Sequence, residues 1–409
     1  MTSEFLRWAT LASLLIACEE PIPEPDDTWN KIQSLSPMGE LPDDPTNAVF
    51  LDPAAAALGE QLFFDTRLSA DGTVSCATCH QPEHGFADPN PLSETLGTTD
   101  RHTPSVINAA WNRWFFWDGR ADSLWAQALQ PIEHPAEHGF SRLEVVHKLS
   151  EDTELTSSYA EIFGEYPDFS DPLRFPAQGM PVFDEPDNPL HQAWMTMNET
   201  DQQRVNRTFV NVGKALAAFE GTVTGVNSPF DRYVQERSQG QSSDALNAES
   251  IEGLELFVGR AGCIQCHSGP TLSDLQFHNI GLAPVFWADP TDVGRYEGVT
   301  ALLENPFNGT GDYSDDPEAG AKKLSYLYVD AEKLGQFKTP TLRNIDRTAP
   351  YMHTGQLATL EEVVRFYNDA NQVPSVGHRE EIVVPLNLTE QEQAALVSFL
   401  KSLTDPAYP

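Results

Sequence analysis

Cys76-Ala77-Thr78-Cys79-His80 and Cys263-Ile264-Gln265-Cys266-His267 decide how this chain is read, because each is a CxxCH motif. Two thiols a helical turn apart can reach the two vinyl groups of one haem, and the adjacent histidine is then carried to the iron as its proximal ligand. With five cysteines and eleven histidines in 409 residues, one such motif arises by chance in roughly two of a thousand sequences of this length. Two make coincidence negligible and predict two covalently bound c-type haems. The rival chemistries fare worse. A zinc site would gather all four thiolates, yet the pairs lie in opposite halves of the chain, and zinc requires no histidine after each second cysteine. A thioredoxin-like dithiol wants a βαβ setting that neither copy has.

Outward from the motifs, each is preceded by a matching stretch, Gly59-Glu60-Gln61-Leu62-Phe63 and Gly253-Leu254-Glu255-Leu256-Phe257, where G-x-x-L-F closes a helical apolar pattern. The repeat predicts a mainly α fold of two cytochrome c-like haem domains with long loops. Each domain needs a later helix packed on the first one. The candidates are Val205 to Thr222, and Glu390 to Leu403, the latter opened by the capping box Thr389-x-x-Glu392 and carrying Leu396, Phe399, Leu400 and Leu403 on one face. The polar stretch Glu236 to Ser250 separates the halves and predicts domains at 46–235 and 236–409.

The first eighteen residues read as an export signal, with Arg7 followed by an apolar run from Trp8 to Ala17 too short to span a bilayer. Leu15-Ile16-Ala17-Cys18 resembles the lipobox at which bacterial lipoproteins are cleaved and acylated, so Cys18 is the expected lipid-anchor residue. Residues 19–45 then read as an acidic, proline-rich tether, and the expected location is the periplasm. The other four cysteines are absorbed by the two motifs, and the arithmetic closes without a disulfide. The 61 acidic against 25 basic residues give a net charge of −36, which argues against nucleic acid and anionic lipid as partners. A basic protein partner remains compatible with it.

The segments LGEQLFFDTRLSADGTVSCATCH, FFWDGRADSLWAQALQPIEHPAEHG, GLELFVGRAGCIQCHSGP and FKTPTLRNIDRTAPYMHTGQLATLEEVVRFY together resemble the bacterial di-haem cytochrome c peroxidases and their relative MauG, which oxidises tryptophans of a partner protein. The resemblance covers nearly all of the chain after the signal. It implies an N-terminal peroxidatic haem domain and a C-terminal electron-transfer haem domain, with H2O2 as oxidant and a protein electron donor or protein substrate. It also implies roles for single residues. Trp117 matches the tryptophan between the haems that relays electrons. Gln127, Pro131 and Glu137 match residues over the open face of the first haem, where a carboxylate shuttles a proton between the oxygens of peroxide. The plain alternatives are a core aromatic for Trp117 and a solvated carboxylate for Glu137.

Two positions divide the family. The loop Pro89 to Asp100 contains no His, Met, Lys or Cys, so the sixth position of the first haem, with His80 as proximal ligand, is expected to be open; His84 and His102 flank the loop. On the second haem, with His267 as proximal ligand, Tyr367 stands where the peroxidases place a methionine and MauG a tyrosine, with Met352 as a rival ligand. Tyr367 falls on an expected helix opened by Thr359-x-x-Glu362 with a buried face of Leu360, Val363, Val364 and Tyr367. A phenolate favours oxidised iron, whereas methionine raises the potential. The resemblance further implies a calcium held partly by backbone oxygens of Thr348 and Pro350. His102 replaces the family's asparagine there, and imidazole is a poor ligand for an ion that prefers oxygen. The reading is therefore a MauG-like peroxidase, set against a cytochrome c peroxidase that detoxifies H2O2 and against a non-catalytic di-haem electron carrier.

Overall fold

A computed structural model describes residues 27–289 and 291–408; the expected signal and Cys18 lie outside them. The first part of the described chain carries helices α1 (Asp27–Ser34), α2 (Pro53–Phe63), α3 (Cys76–Cys79), α4 (Leu124–Glu133), α5 (Arg142–Ser150), α6 (Thr153–Phe163), α7 (Pro189–Met195) and α8 (Glu199–Glu220). Helices α9 (Pro229–Ser238), α10 (Ala248–Val258), α11 (Arg295–Glu304), α12 (Pro317–Leu324), α13 (Leu360–Asp369) and α14 (Glu390–Lys401) follow. Among the described residues the one sheet is a two-stranded antiparallel pair, β1 (Phe277–His278) with β2 (Phe337–Lys338), which sets Phe277 opposite Lys338 and His278 opposite Phe337. The fold is mainly helical, as the periodicity predicts.

The repeated glycines explain how the halves are built. A Cβ added at Gly59 would sit 2.0 Å from the Ala215 carbonyl oxygen on α8, and one at Gly253 would sit 1.9 Å from that of Ala395 on α14. Only glycine lets the two backbones come this close. The aromatic four residues on then meets a partner from the crossing helix, Phe63 with Phe219 and Phe257 with Phe399, each pair 5.1 Å between ring centroids. Caps hold these helices in phase: Asp52 and Asn247 accept from the first turns of α2 and α10, and Thr389 with Glu392 forms the expected capping box on α14.

The cores divide the chain differently from the expected 235/236 boundary. Val223 belongs to the first core, but Phe230, Tyr233 and Val234 of α9 pack with Leu254, Phe257 and Phe399 in the second. The polar stretch after α9 marks a loop inside the second core, not its edge. Nor does the acidic tether extend to residue 45. Helix α1 buries Ile32 and Leu35 in that same second core, where a buried Arg343 guanidinium donates to Asp231 Oδ1 and Oδ2 (3.0 and 2.8 Å) and to the Leu35 carbonyl (3.2 Å). In the other direction, Phe307, Tyr313 and Tyr408 pack on the first core.

Gly253→Val should destabilise the folded protein by about 2–3 kcal/mol, the range for overpacking a close contact. Gly39→Val, at a position with no heavy atom within 4 Å of an added Cβ, should leave the denaturation midpoint nearly unchanged. Equal midpoints for the two variants would remove the helix crossing as a structural constraint.

Candidate active site

The first motif is wound by its own sequence. Ser75 and Thr78 form a capping box around the single turn of α3, which places Cys76 and Cys79 one turn apart, and His80 N–H donates to the Cys76 carbonyl at 2.9 Å. His80 Nδ1 lies 3.1 Å from the Phe86 carbonyl oxygen. A carbonyl can only accept, so Nδ1 carries the proton and Nε2 is the nitrogen left for iron. The second motif repeats this, with His267 N–H on the Cys263 carbonyl (2.9 Å) and His267 Nδ1 on that of Leu272 (2.9 Å). Burial pushes both imidazoles below their usual range, towards the neutral form a metal needs, and keeps all four cysteines as thiols. Four unpaired cysteines beside two pre-oriented imidazoles fit two haems c.

Around the second motif the chain leaves a cavity of about 310 Å³. Cys263, Cys266 and His267 line it together with Val363 and Tyr367 of α13, Met352, Lys338 and Trp117. Leu360 lines the cavity too while packing in the second core, and Val364 is buried in that core alone, so the expected buried face of α13 serves both. Both rival ligands thus reach one cavity. The two tyrosines near it differ. The Tyr351 hydroxyl donates to the Ile345 carbonyl at 3.1 Å, whereas the Tyr367 hydroxyl has no hydrogen-bond partner among the described residues. Burial, then the nearby Cys266 and Cys263 thiols, push the Tyr367 phenol well above its usual range. It would ionise only next to a cation.

Trp117 stands on the wall of that cavity, while its neighbour Phe116 packs on the first core. The indole Nε1–H donates to the His102 carbonyl at 2.8 Å, and the Trp117 carbonyl accepts from Lys338 N–H at 2.7 Å. One residue therefore touches both halves.

At the first motif, Gln127 and Pro131 lie four residues apart on α4, on the side turned away from the buried Ala128, Leu129 and Ile132. Glu137 sits in the following turn with its carboxylate 3.4 Å from His134 Nδ1. Burial raises its pKa first; His134 and Arg120 pull it down, and Asp100 raises it further. Its charge is felt at both Cys76 and Cys79, so it lies near the first motif. The loop without ligating side chains is pinned to the same turn, since Thr95 Oγ1–H and Gly97 N–H both donate to the Ala136 carbonyl, at 2.6 and 3.0 Å. His84 is exposed. His102 is buried, with Nδ1 donating to the carbonyls of Asn90 (3.1 Å) and Pro91 (3.2 Å) and the Thr348 carbonyl against the same ring. An imidazole therefore stands where an oxygen donor is expected, and the donor set does not fit calcium.

Sequence reasoning missed several groups at these sites. Arg120 bridges Gln130 Oε1 (3.1 Å) and Asp118 (3.2 Å) beside Glu137. His353 stacks on Phe337 at 3.6 Å and lies 6.3 Å from the Trp117 ring; burial pushes its pKa down to about 4, so it is neutral. Lys338 has its ammonium group pushed down to about 8 by burial in the cavity wall. All three lie in segments quoted for the resemblance, which was the only signal for them.

With this geometry in place, the comparisons with known proteins are consistent. The sequence profile of the di-haem cytochrome c peroxidases matches residues 53–239. The chain is 32% identical over 384 residues to the cytochrome-c peroxidase IdrP1 of Denitromonas iodatirespirans, covering 92% of this chain and 88% of that protein. It is 34% identical over 361 residues to the methylamine utilization protein MauG of Methylorubrum extorquens, covering 87% and 80%. The crystal structure of a MauG-like protein associated with microbial copper homeostasis superposes with a TM-score of 0.61 at 27% identity, over 91% of this chain and 95% of that one. The chain belongs to the di-haem cytochrome c peroxidase family. It is an oxidoreductase acting on peroxide, and its family implies two haems c.

Acid acetone should leave two haems attached per denatured chain, and Cys266→Ala with Cys263→Ala should reduce the count to one. Haem that extracts freely from the unsubstituted protein would contradict covalent attachment at these thiols.

Proposed function

We propose that this peroxidase is MauG-like: in its fully oxidised form it takes oxidising equivalents directly from H2O2 and passes them to a side chain of a partner protein. The observation that carries the reading is the Tyr367 hydroxyl, without a partner on the wall of the second cavity, together with a first-site loop lacking any ligating side chain. Bound haem supplies the iron at which the O–O bond is reduced and the electrons are stored.

The chain's own groups then divide the work. Glu137 takes the proton from the near oxygen of peroxide and returns it to the far one, so that water can leave. Arg120 holds that carboxylate against the pull of burial. Gln127 and Pro131 would line the peroxide side of the first haem site, since neither side chain is an iron ligand. Trp117, anchored by its N–H on His102 and its carbonyl on Lys338, carries electrons between the halves. His80 and His267 would each hold one iron through Nε2, and Tyr367 would be the further ligand at the second. We place no calcium between the halves, because the His102 imidazole, a poor ligand for Ca²⁺, stands where an oxygen donor is needed. We further propose a periplasmic protein anchored through Cys18, on the lipobox-like run alone.

The runner-up is a cytochrome c peroxidase, favoured by Met352 lining the same cavity. Electron paramagnetic resonance of the resting diferric protein separates them in part. One high-spin and one low-spin signal are expected, with the low-spin signal lost in Tyr367→Phe. Two low-spin irons would close the first site and support the carrier; an unchanged low-spin signal in Tyr367→Phe would transfer the ligand role to Met352.

Glu137 also sets a pH dependence. Its raised pKa means that the ionised base is lost as pH falls through a value above the usual carboxylate range, so the rate of reaction with peroxide should fall along that limb. Glu137→Gln should slow the reaction by about 10² to 10⁴ and abolish the limb while both haems stay bound. An unchanged rate and profile would return Glu137 to an ordinary surface carboxylate.

A further inference from the structure

Three cations without ion-pair partners converge on one tryptophan. Among the 25 basic residues of a chain with net charge −36, Arg295, Lys323 and Arg113 place their charged groups 4.8, 5.3 and 5.4 Å from the centroid of the Trp114 ring. Among the described residues no carboxylate pairs with any of them within 4.0 Å. Arg295 donates instead to the carbonyls of Asp118 (3.0 Å) and Gly119 (2.7 Å), and Lys323 to that of Asp122. The nearest acidic influences are Asp118 on Arg295, and Asp122 and Asp44 on Lys323; Asp118 is itself shared between Arg101 and Arg120. Arg295 stays charged at neutral pH even though burial lowers it to about 10.

Trp114 is buried, with 6% of its surface exposed, and lies three residues before Trp117 in the same segment. Their surroundings are opposite. Over Trp117 the described residues place no cation: its N–H is held by a carbonyl and its ring edge meets the neutral His353. A cation against an indole face stabilises the electron-rich neutral ring and opposes the positive charge left by removing an electron, and low-dielectric surroundings strengthen the effect.

We propose that Arg113, Arg295 and Lys323 insulate Trp114 against oxidation, so that equivalents drawn from peroxide stay on Trp117 and do not leak into the apolar cluster of Trp114, Leu302 and Leu324. The inference rests on the relay reading of Trp117. The leak it prevents is balanced: an indole takes up the oxygen of one water and loses two electrons and two protons, while H2O2 accepts both electrons and both protons and leaves as two waters.

The test is site-resolved peptide mass spectrometry of the haem-loaded protein after H2O2 in the absence of donor. Trp114 should remain unmodified in the natural sequence. Its oxidised fraction should rise several-fold in Arg113→Gln, where the side chain is exposed, and again in Lys323→Met, with Lys323→Arg restoring protection. A parallel arm uses photogenerated tris(bipyridyl)ruthenium(III) in place of peroxide, so that oxidation does not pass through the haems. More rapid Trp114 oxidation there, with no peroxide-dependent change, would keep the insulation and reject the Trp117 relay. Trp114 modified equally in all variants under both oxidants would overturn the proposal.

Discussion

Each haem site depends on a helix crossing that only glycine permits. Where α2 meets α8 and α10 meets α14, the carbonyl oxygens of Ala215 and Ala395 occupy the space a side chain at Gly59 or Gly253 would need. That approach seats Phe63 on Phe219 and Phe257 on Phe399. In the first half the same Phe63 lies 6.3 Å from the His80 ring, so the crossing forms the wall behind the motif. The motif turns themselves are short-range, and in each one backbone carbonyl fixes the tautomer of the motif histidine.

Between the halves the structure joins apolar packing, as where Trp114 meets Leu302 and Leu324, to buried charge pairs. Arg101 from the first half pairs with Asp118 at 2.5 Å and reaches Asp292 of the second at 2.8 Å, all three largely buried. Such pairs add little net stability once desolvation is counted, but breaking one leaves a costly unpaired charge, so they specify geometry. The geometry they specify is that of Trp117, which follows Phe116 on the first core and lines the second cavity. Trp114 lies in the same strip of chain under the opposite electrostatic regime. On the proposed relay reading, a segment carrying both tryptophans would direct electrons along one of them.

The motif turns, the two crossing helices, the cap of α13 and the ligand-free loop were legible because each is local, set by spacing within a few residues. The boundary between cores was not. Helix α1 carries Ile32 and the following Leu35 into the second core, with Trp29 packed against it, and in sequence those residues sit scattered in an acidic, proline-rich lead-in. Helix α9 reads as the end of the first half because the polar run comes after it, yet Phe230 packs on Phe399. His353, Lys338 and Arg120 stayed silent for another reason. Their roles depend on partners brought together by tertiary packing, as where His353 meets Trp117 across more than half the chain. His102 shows the reverse case: its substitution for asparagine was visible, but its three carbonyl contacts were not.

The central claim is that the protein accepts oxidising equivalents at an open first haem while Tyr367 closes the second. Stopped-flow mixing of fully oxidised protein with H2O2, alongside protein first given one electron, tests it most directly. The account predicts an immediate change of the haem spectrum in the fully oxidised sample, and no faster reaction in the sample that received the electron. A lag or no reaction in the fully oxidised sample, with fast turnover of reduced cytochrome c only after one-electron reduction, would contradict it.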